Sequence, residues 1–201
     1  MKKGFTLLEL LLTIGILAIL ATVVVVIINP VEYLKQSRDT RRIKEINAID
    51  AAIATARASA PNISLGGSTS TVYVSIPDPT LVGNATSTCG GISGMPILSP
   101  EWRYQCVSVA NLRKTDGAGW IPVNFDSIAI KSPLSSLPID PNNEATGRKF
   151  YTYVPLIGLS ARLESQKVAG DAGAKDGGVS DLLFEIGGDI AHLPTSLFTG
   201  L

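Results

Sequence analysis

The N-terminal 28 residues decide the fold: MKKGFTLLE (residues 1–9) is followed by LLLTIGILAILATVVVVII (residues 10–28). Only Thr13, Gly15 and Thr22 interrupt the apolar run. As a helix, the 24 residues from Phe5 to Ile28 span roughly 36 Å, which is enough to cross a bilayer. Glu9 stands at the start of this run. Because an unpaired carboxylate at the head of a membrane segment costs several kcal/mol of free energy, its presence there predicts a function.

Two simpler kinds of segment explain this stretch less well. A secretory signal peptide has a shorter apolar core and an Ala-x-Ala-like cleavage site, whereas Ala18 and Ala21 have the wrong spacing for one. A plain membrane anchor fits the length but accounts for neither Gly4-Phe5 nor Glu9.

The segment Gly4-Phe5-Thr6-Leu7-Leu8-Glu9 resembles the class III signal of type IV prepilins and type II secretion pseudopilins. The resemblance implies cleavage after Gly4 by a prepilin peptidase, N-methylation of the new Phe5 amine, and assembly with copies of itself into a helical fibre. It also implies a pilus or secretion assembly machinery as partner. The resemblance is close over residues 1–28 and weak beyond about residue 60.

Glu9 and the Phe5 amine form the main predicted functional pair. After cleavage Phe5 would carry a positive amine, and Glu9 of one subunit would neutralise the amine of a neighbour and fix the axial stagger. The alternative is that Glu9 only faces water among the lipid headgroups. Gly4 would leave the peptidase site unobstructed, or it would be a mere spacer.

Composition and charge bound the class of protein. The chain has 201 residues, with 17 basic and 17 acidic side chains and a net charge of +0, which does not favour a nucleic-acid partner. Lys2 and Lys3 before the apolar run place the N-terminus in the cytoplasm. We therefore expect a single-pass inner-membrane precursor that becomes a periplasmic or extracellular filament.

The two cysteines lie in the part of the chain that this orientation exports. Cys89 and Cys106 are 17 positions apart and most simply form one disulfide. A two-cysteine metal site is the alternative, but no Cys-x-x-Cys motif is present and the single histidine, His192, is distant in the sequence.

Hydrophobic periodicity predicts an α+β fold. The helix is expected to continue to about Ala60, with a kink or unwound stretch at Asn29-Pro30. Its second half is amphipathic, with an apolar stripe at Ile43, Ile46, Ile49, Ile53 and Ala56. A small antiparallel sheet is expected to follow, with strands at Thr71–Ile76, Tyr104–Val109, Ser127–Lys131, Lys149–Val154, Leu159–Glu164 and Leu182–Ile186.

These patterns divide the chain into four parts. Residues 1–4 are a leader peptide, residues 5–28 a transmembrane and fibre-core helix, residues 29–61 the amphipathic half of that helix, and residues 62–201 a globular extracytoplasmic head. The loop Asp176-Gly177-Gly178 lies between the last two expected strands, as in an antiparallel pair.

A charged cluster straddles the junction of the two helix halves. As a basic stripe it would bind phosphate of DNA or lipid. The favoured interpretation is a solvated or subunit-facing surface with mixed ion pairs. Its members are Lys35, Arg38, Asp39, Arg41, Arg42, Lys44 and Glu45.

A proline-flanked turn precedes a tyrosine-rich strand. Leu137-Pro138-Ile139-Asp140-Pro141, followed by Phe150-Tyr151-Thr152-Tyr153, is similar to a turn and strand in major pseudopilins and some bacterial pilins. Because two prolines rigidify the chain around Asp140, a structural role is expected.

No residues suggest catalysis, and a cofactor is not expected. Nucleophile-elbow, phosphate-loop and metal-ligand motifs are absent from the sequence. Asp171, Asp176, Asp181 and Asp189 lie in a Gly-rich tail; a calcium site there is an alternative implied by the resemblance to major pseudopilins, but no ligands can be assigned. Each Asp is also a good turn residue, and His192 is expected to be a surface or cap residue.

Together these features predict a structural subunit of a type IV pilus-like filament and no enzymatic activity. A major-type pseudopilin of a type II secretion system is one alternative. A minor pilin whose head binds DNA or a surface is another.

Overall fold

The computed structural model describes residues 4–128, 134–194 and 197. Two consecutive helices, α1 (Leu7–Ile28) and α2 (Pro30–Ser59), precede a six-stranded sheet. The strands are β1 (Thr71–Val74), β2 (Thr86–Ser87), β3 (Arg103–Val107), β4 (Tyr151–Val154), β5 (Gly158–Arg162) and β6 (Leu183–Ile186). A short helix α3 (Gln166–Asp171) and three 3₁₀ turns, Phe125–Ser127, Gly173–Lys175 and Ile190–His192, complete the described elements. The predicted α+β class is confirmed.

The break between α1 and α2 lies at Asn29, where the sequence predicted an interruption. Asn29 adopts a left-handed conformation with φ of 44°, and its side chain accepts a hydrogen bond from the Glu32 amide. Pro30 is the first residue of α2, a position where its missing N–H costs nothing. The proline therefore starts a new helix rather than kinking a continuous one.

The sheet has the order β2-β3-β1-β4-β5-β6 and is mixed. Strands β1 and β3 run parallel, with Val72 opposite Tyr104, and the other pairs are antiparallel. The predicted wholly antiparallel sheet is therefore corrected at this one pair. The 28 residues that connect β1 to β3 provide the crossover that a parallel pair requires.

Several predicted strand bounds need correction. β2 was not predicted, since two residues carry too little periodicity. Ser127, the start of one expected strand, ends a 3₁₀ turn, and residues 129–131 lie outside the described residues. The connection from β5 to β6 contains α3 and a 3₁₀ turn as well as the Asp176-Gly177-Gly178 loop.

The sheet separates two apolar clusters. The first lies between α2 and the sheet, where Ile46, Ile49, Ile53 and Ala56 of the predicted stripe are buried, and Ile43 is half-buried. It also contains the fully buried Trp120. The second lies on the other face and contains Val72, Val74 and the disulfide. In the head, α2 therefore covers one face of the sheet, and loops of the head cover the other face.

Candidate processing and assembly site

The N-terminus of α1 is fixed by a capping box between Thr6 and Glu9. The Glu9 amide donates to the Thr6 hydroxyl at 3.2 Å, and the Thr6 amide and hydroxyl donate to Glu9 Oε2 at 3.0 and 2.9 Å. Two amides that the first helical turn cannot satisfy thereby gain partners. In a single subunit Glu9 therefore serves as a cap, a role that the Thr-x-x-Glu spacing could have predicted.

Gly4 and Phe5 precede the helix in a non-helical, exposed segment. The Phe5 side chain is 78% exposed, and a Cβ added at Gly4 would meet no atom within 4 Å. A protease cleaves an extended and accessible backbone more readily than a helical one. The bond between these residues therefore lies in an exposed, non-helical segment just outside the capped helix.

The side chains of α1 are uncovered by the head. All the described residues of this helix are exposed, and Leu7–Ile27 is long and apolar enough to cross a membrane. Burying so much apolar surface is favourable relative to water, whereas the gain relative to lipid is much smaller. α1 therefore suits either a bilayer or a bundle of copies of the same helix.

The prediction of a solvated or subunit-facing charged surface in the first half of α2 is partly wrong, because Asp39 and Arg42 are completely buried. Arg42 Nη1 contacts Asp39 at 2.8 Å and Glu164 at 2.5 Å, while its Nε and Nη2 bind the two oxygens of Asp140 at 2.6 and 2.9 Å. Burial opposes the charge of Arg42, but the three carboxylates outweigh it and raise the pKa of this guanidinium. The cluster is a fully paired electrostatic core.

A second arginine and two backbone amides complete this ion cluster. Arg38 makes a bidentate pair with Glu164, at 2.9 and 2.7 Å. Asp39 accepts hydrogen bonds from the amides of Glu164 and Ser165. The hydrogen bonds from Arg38, assisted by those from Arg42, lower the pKa of Glu164 to about 2 in spite of burial. The remaining charged residues of the predicted surface, Lys35, Arg41, Lys44 and Glu45, have exposed or half-buried positions on α2, as does Arg38 itself.

The proline-flanked turn carries the central partner of Arg42. Asp140 is 2% exposed, and its Oδ1 also accepts the amide of Asn142 at 2.8 Å. The Trp120 indole donates to the carbonyl of Pro138 at 2.9 Å. The turn is therefore held between α2 and the core of the head, which extends its expected structural role to an anchor for the helix.

Comparison with known proteins found a match for the N-terminal segment of the chain. Residues 1–25 match a family model described as Prokaryotic N-terminal methylation motif. The chain begins with an N-methylation motif. This match supports the resemblance to precursors of the type IV pilin and pseudopilin family. No curated protein and no solved structure matched the chain.

The two cysteines of the head form the predicted disulfide. Cys89 and Cys106 form a disulfide with Cα atoms 5.3 Å apart. The bond lies in the second apolar cluster and ties the loop before β3 to that strand. The hydroxyl of Ser87, beside Cys89, donates to Asp78 at 2.5 Å, so the loop is also held by polar contacts.

The acidic tail residues are distributed over separate turns. Asp176 accepts the amides of Gly178 and Glu185, and Asp189 bonds His192 at 2.6 Å in an exposed 3₁₀ turn. Among the described residues, no group of three or more His, Cys, Asp or Glu side chains could hold a metal ion. Calcium binding stays an untested alternative, and His192 has the predicted surface position.

Proposed function

We propose that this chain is a structural subunit of a type IV pilus-like filament, made as a prepilin, cleaved after Gly4 and N-methylated at Phe5. One observation carries the proposal: a methylation motif over residues 1–25 includes most of an apolar helix, α1, that the folded head leaves uncovered. The chain is held in the inner membrane by α1 before assembly. Copies then polymerise through this helix, with the heads outside the membrane.

We infer a second role for Glu9 after cleavage, in addition to its place in the capping box. Removal of residues 1–4 converts the Phe5 nitrogen from an amide into a cationic amine. Transfer of α1 from the membrane into a fibre core would leave that amine unpaired among apolar side chains, which is costly. Glu9 of a neighbouring subunit is the carboxylate that offsets this cost, and the pairing sets the axial register of the fibre.

A major-type pseudopilin is the second candidate. The proline-flanked turn at residues 137–141 favours it, because this turn resembles one in major pseudopilins; in this structure Asp140 of the turn anchors α2. Filament length discriminates the two candidates. Long surface fibres seen by electron microscopy at native expression would favour a pilus, and their absence unless the chain is overproduced would favour a pseudopilus.

Mass spectrometry and electron microscopy together test the proposal. Assembled protein should begin at Phe5 and carry one added methyl group, and negative staining should show filaments containing this chain. Gly4→Leu should leave an uncut, membrane-inserted precursor. Gly15→Leu is the matched control: it places the same side chain in α1, where no atom would meet its Cβ within 4 Å, and it should be cleaved normally. An intact Met1 terminus in assembled material contradicts the proposal.

A further inference from the structure

A small polar cavity lies on the face of the sheet that does not carry α2. Leu159 of β5 belongs to the apolar cluster under α2, so Ser160 and Arg162 of the same strand point to the opposite face. There they line a cavity of about 20 Å³ together with Thr152 of β4 and Arg148. The other described residues that line it are apolar, and none of the described lining residues is acidic. The volume exceeds the roughly 10–15 Å³ that one water molecule requires.

Two buried hydroxyl groups form the floor of this cavity. Thr152 and Ser160 lie opposite each other in β4 and β5, are 4% and 3% exposed, and have their hydroxyl oxygens 2.6 Å apart. One hydroxyl donates its hydrogen to the other, and neither has a further side-chain partner among the described residues. The accepting hydroxyl therefore keeps its own hydrogen, which we call the spare donor. A buried donor without an acceptor is costly, so a ligand that accepts this hydrogen would be favoured.

Arg162 brings a positive charge that no described carboxylate balances. It is half-buried and makes neither an ion pair nor a side-chain hydrogen bond within the described part of the chain. Burial, and then the charge of Arg148, lower the pKa of Arg162. Glu185 lies opposite Ser160 in β6, but it accepts two backbone amides of the loop before that strand and does not line the cavity.

Arg148 reaches the same cavity from a strained turn. Residues 145–148 form a turn whose two flanking residues exchange backbone hydrogen bonds of 3.0 Å. The Arg148 amide donates to the Ala145 carbonyl at 2.9 Å, and Arg148 has a left-handed backbone with φ of 53°. Residues with a Cβ adopt this conformation at a cost, and such strain occurs often at functional positions. Arg148 also has other contacts within the chain, so Arg162 is the group that most needs an anion.

We propose that this cavity binds one oxyanion of the phosphate class. The oxygens of a phosphate group point in several directions, so the group can accept hydrogen bonds from both guanidinium groups and from the spare donor at once. A carboxylate offers only two oxygens in one plane. Arginine binds phosphate through charge-assisted and often bidentate hydrogen bonds. The bound anion would lie between the like charges of Arg148 and Arg162 and would connect the turn before β4 to β5.

Thermal unfolding of the detergent-solubilised full chain tests the proposal. Inorganic phosphate at about 10 mM should raise the unfolding midpoint of the wild type by about 3 °C or more above its value in sodium chloride of equal ionic strength. Arg162→Gln should abolish this shift. In chloride the variant should be at least as stable as the wild type, because it loses a half-buried charge and its repulsion from Arg148.

Arg113→Gln is the matched control for that measurement. It removes the charge of an exposed arginine of the head that does not line the cavity, and it should keep the shift. Because phosphate also stabilises folded proteins without binding at a site, the difference between the two variants is the decisive quantity. Equal shifts for the wild type and Arg162→Gln overturn the proposal.

Phosphorus NMR measures binding without unfolding the protein. The resonance of inorganic phosphate should broaden in the presence of the wild type and of Arg113→Gln, but not of Arg162→Gln. Thr152→Val with Ser160→Ala removes both hydroxyls, keeps both charges, and should weaken binding about tenfold. Glycerol phosphate identifies the source of the anion: binding equal to that of inorganic phosphate indicates the terminal phosphate of a larger molecule, and binding of inorganic phosphate alone indicates the free ion. Absence of broadening with the folded wild type overturns the site.

Discussion

Arg42 and Asp140, 98 positions apart in the chain, form a bidentate ion pair in which both side chains are inaccessible to solvent. The pair connects the proline-flanked turn at residues 137–141 to α2. Buried ion pairs contribute less to stability than apolar packing of equal volume, but they tolerate the loss of one partner badly. The pair therefore fixes which face of α2, the helix that follows the break at Asn29, packs against the head.

Replacing Asp140 by Asn should destabilise the head by about 3 kcal/mol. The substitution keeps the shape of the side chain but leaves Arg42 with one carboxylate fewer in a buried site, and such losses cost about 3–5 kcal/mol. Asp39 and Glu164 still contact Arg42, so the lower end of that range applies. Urea denaturation of the detergent-solubilised full chain, followed by tryptophan fluorescence to which the buried Trp120 contributes, measures the change.

Arg41→Gln provides the control for that measurement. Arg41 pairs with Glu45 at 2.9 Å on the same helix, but its side chain is 56% exposed. Exposed pairs contribute about 0–1 kcal/mol. Equal destabilisation by Asp140→Asn and Arg41→Gln would contradict the assignment of Arg42 and Asp140 as the anchor.

Glu164 should make the head sensitive to acid between pH 4.5 and about 2. Its carboxylate, held by Arg38 and Arg42, has a pKa lowered from 4.5 to about 2. A lowered pKa in the folded state stabilises the protein above pH 4.5, and this contribution disappears as the pH falls through the folded-state value. It amounts to about 3 kcal/mol at neutral pH.

The variant Glu164→Gln isolates this contribution. The free energy of unfolding should be lower than that of the wild type at pH 7, and the difference should shrink towards pH 2. Urea titrations at several pH values measure the difference. A constant gap across that range would show that Glu164 does not supply the acid sensitivity.

Loss of the disulfide should weaken the head. The 17-residue separation of Cys89 and Cys106 gives a loop-closure contribution of about 3 kcal/mol. Cys106→Ala combined with Cys89→Ala should therefore lower the free energy of unfolding by about this amount while the chain stays membrane-inserted. Thiol labelling of the native, non-reduced wild type is the direct test, and free thiols there would refute the bridge.

Local patterns predicted the helices well and the charged residues poorly. The apolar run of α1, the stripe of Ile46, Ile49 and Ile53, and the interruption at Asn29-Pro30 are all properties of neighbouring residues. Asp39 and Arg42 were predicted to lie on a solvated or subunit-facing surface because, apart from each other, their partners lie far along the chain, where no helical periodicity indicates them. Long-range pairing depends on the tertiary fold, which a local pattern does not contain.

The same reason accounts for the errors in the sheet. Alternation located β1, β3, β4, β5 and β6 approximately, but it carries no information on strand direction. The parallel pairing of β1 with β3 depends on the route of the chain between Val74 and Arg103. At the N-terminus, by contrast, the proposed functional residues Gly4, Phe5 and Glu9 lie within a short sequence motif, which a linear pattern can identify without knowledge of the tertiary fold.

Glu9→Gln is the sharpest test of the assembly mechanism. Gln can replace Glu in a capping box, so the hydrogen bonds with Thr6 and the start of α1 should survive. The negative charge is lost, however, and the Phe5 amine of a neighbouring subunit would be buried without a counter-charge, at a cost of about 3–5 kcal/mol for each added subunit. Cleavage after Gly4 should continue while filaments become few or absent.

Thr6→Val is the matched control, since it removes the hydroxyl of the cap but keeps the charge of Glu9, and it should still assemble. Mass spectrometry of the processed chain and electron microscopy of sheared filaments measure the two steps separately. Normal filament yield from fully processed Glu9→Gln protein would show that Glu9 acts only as a helix cap facing headgroup water, and the charge pair would be ruled out.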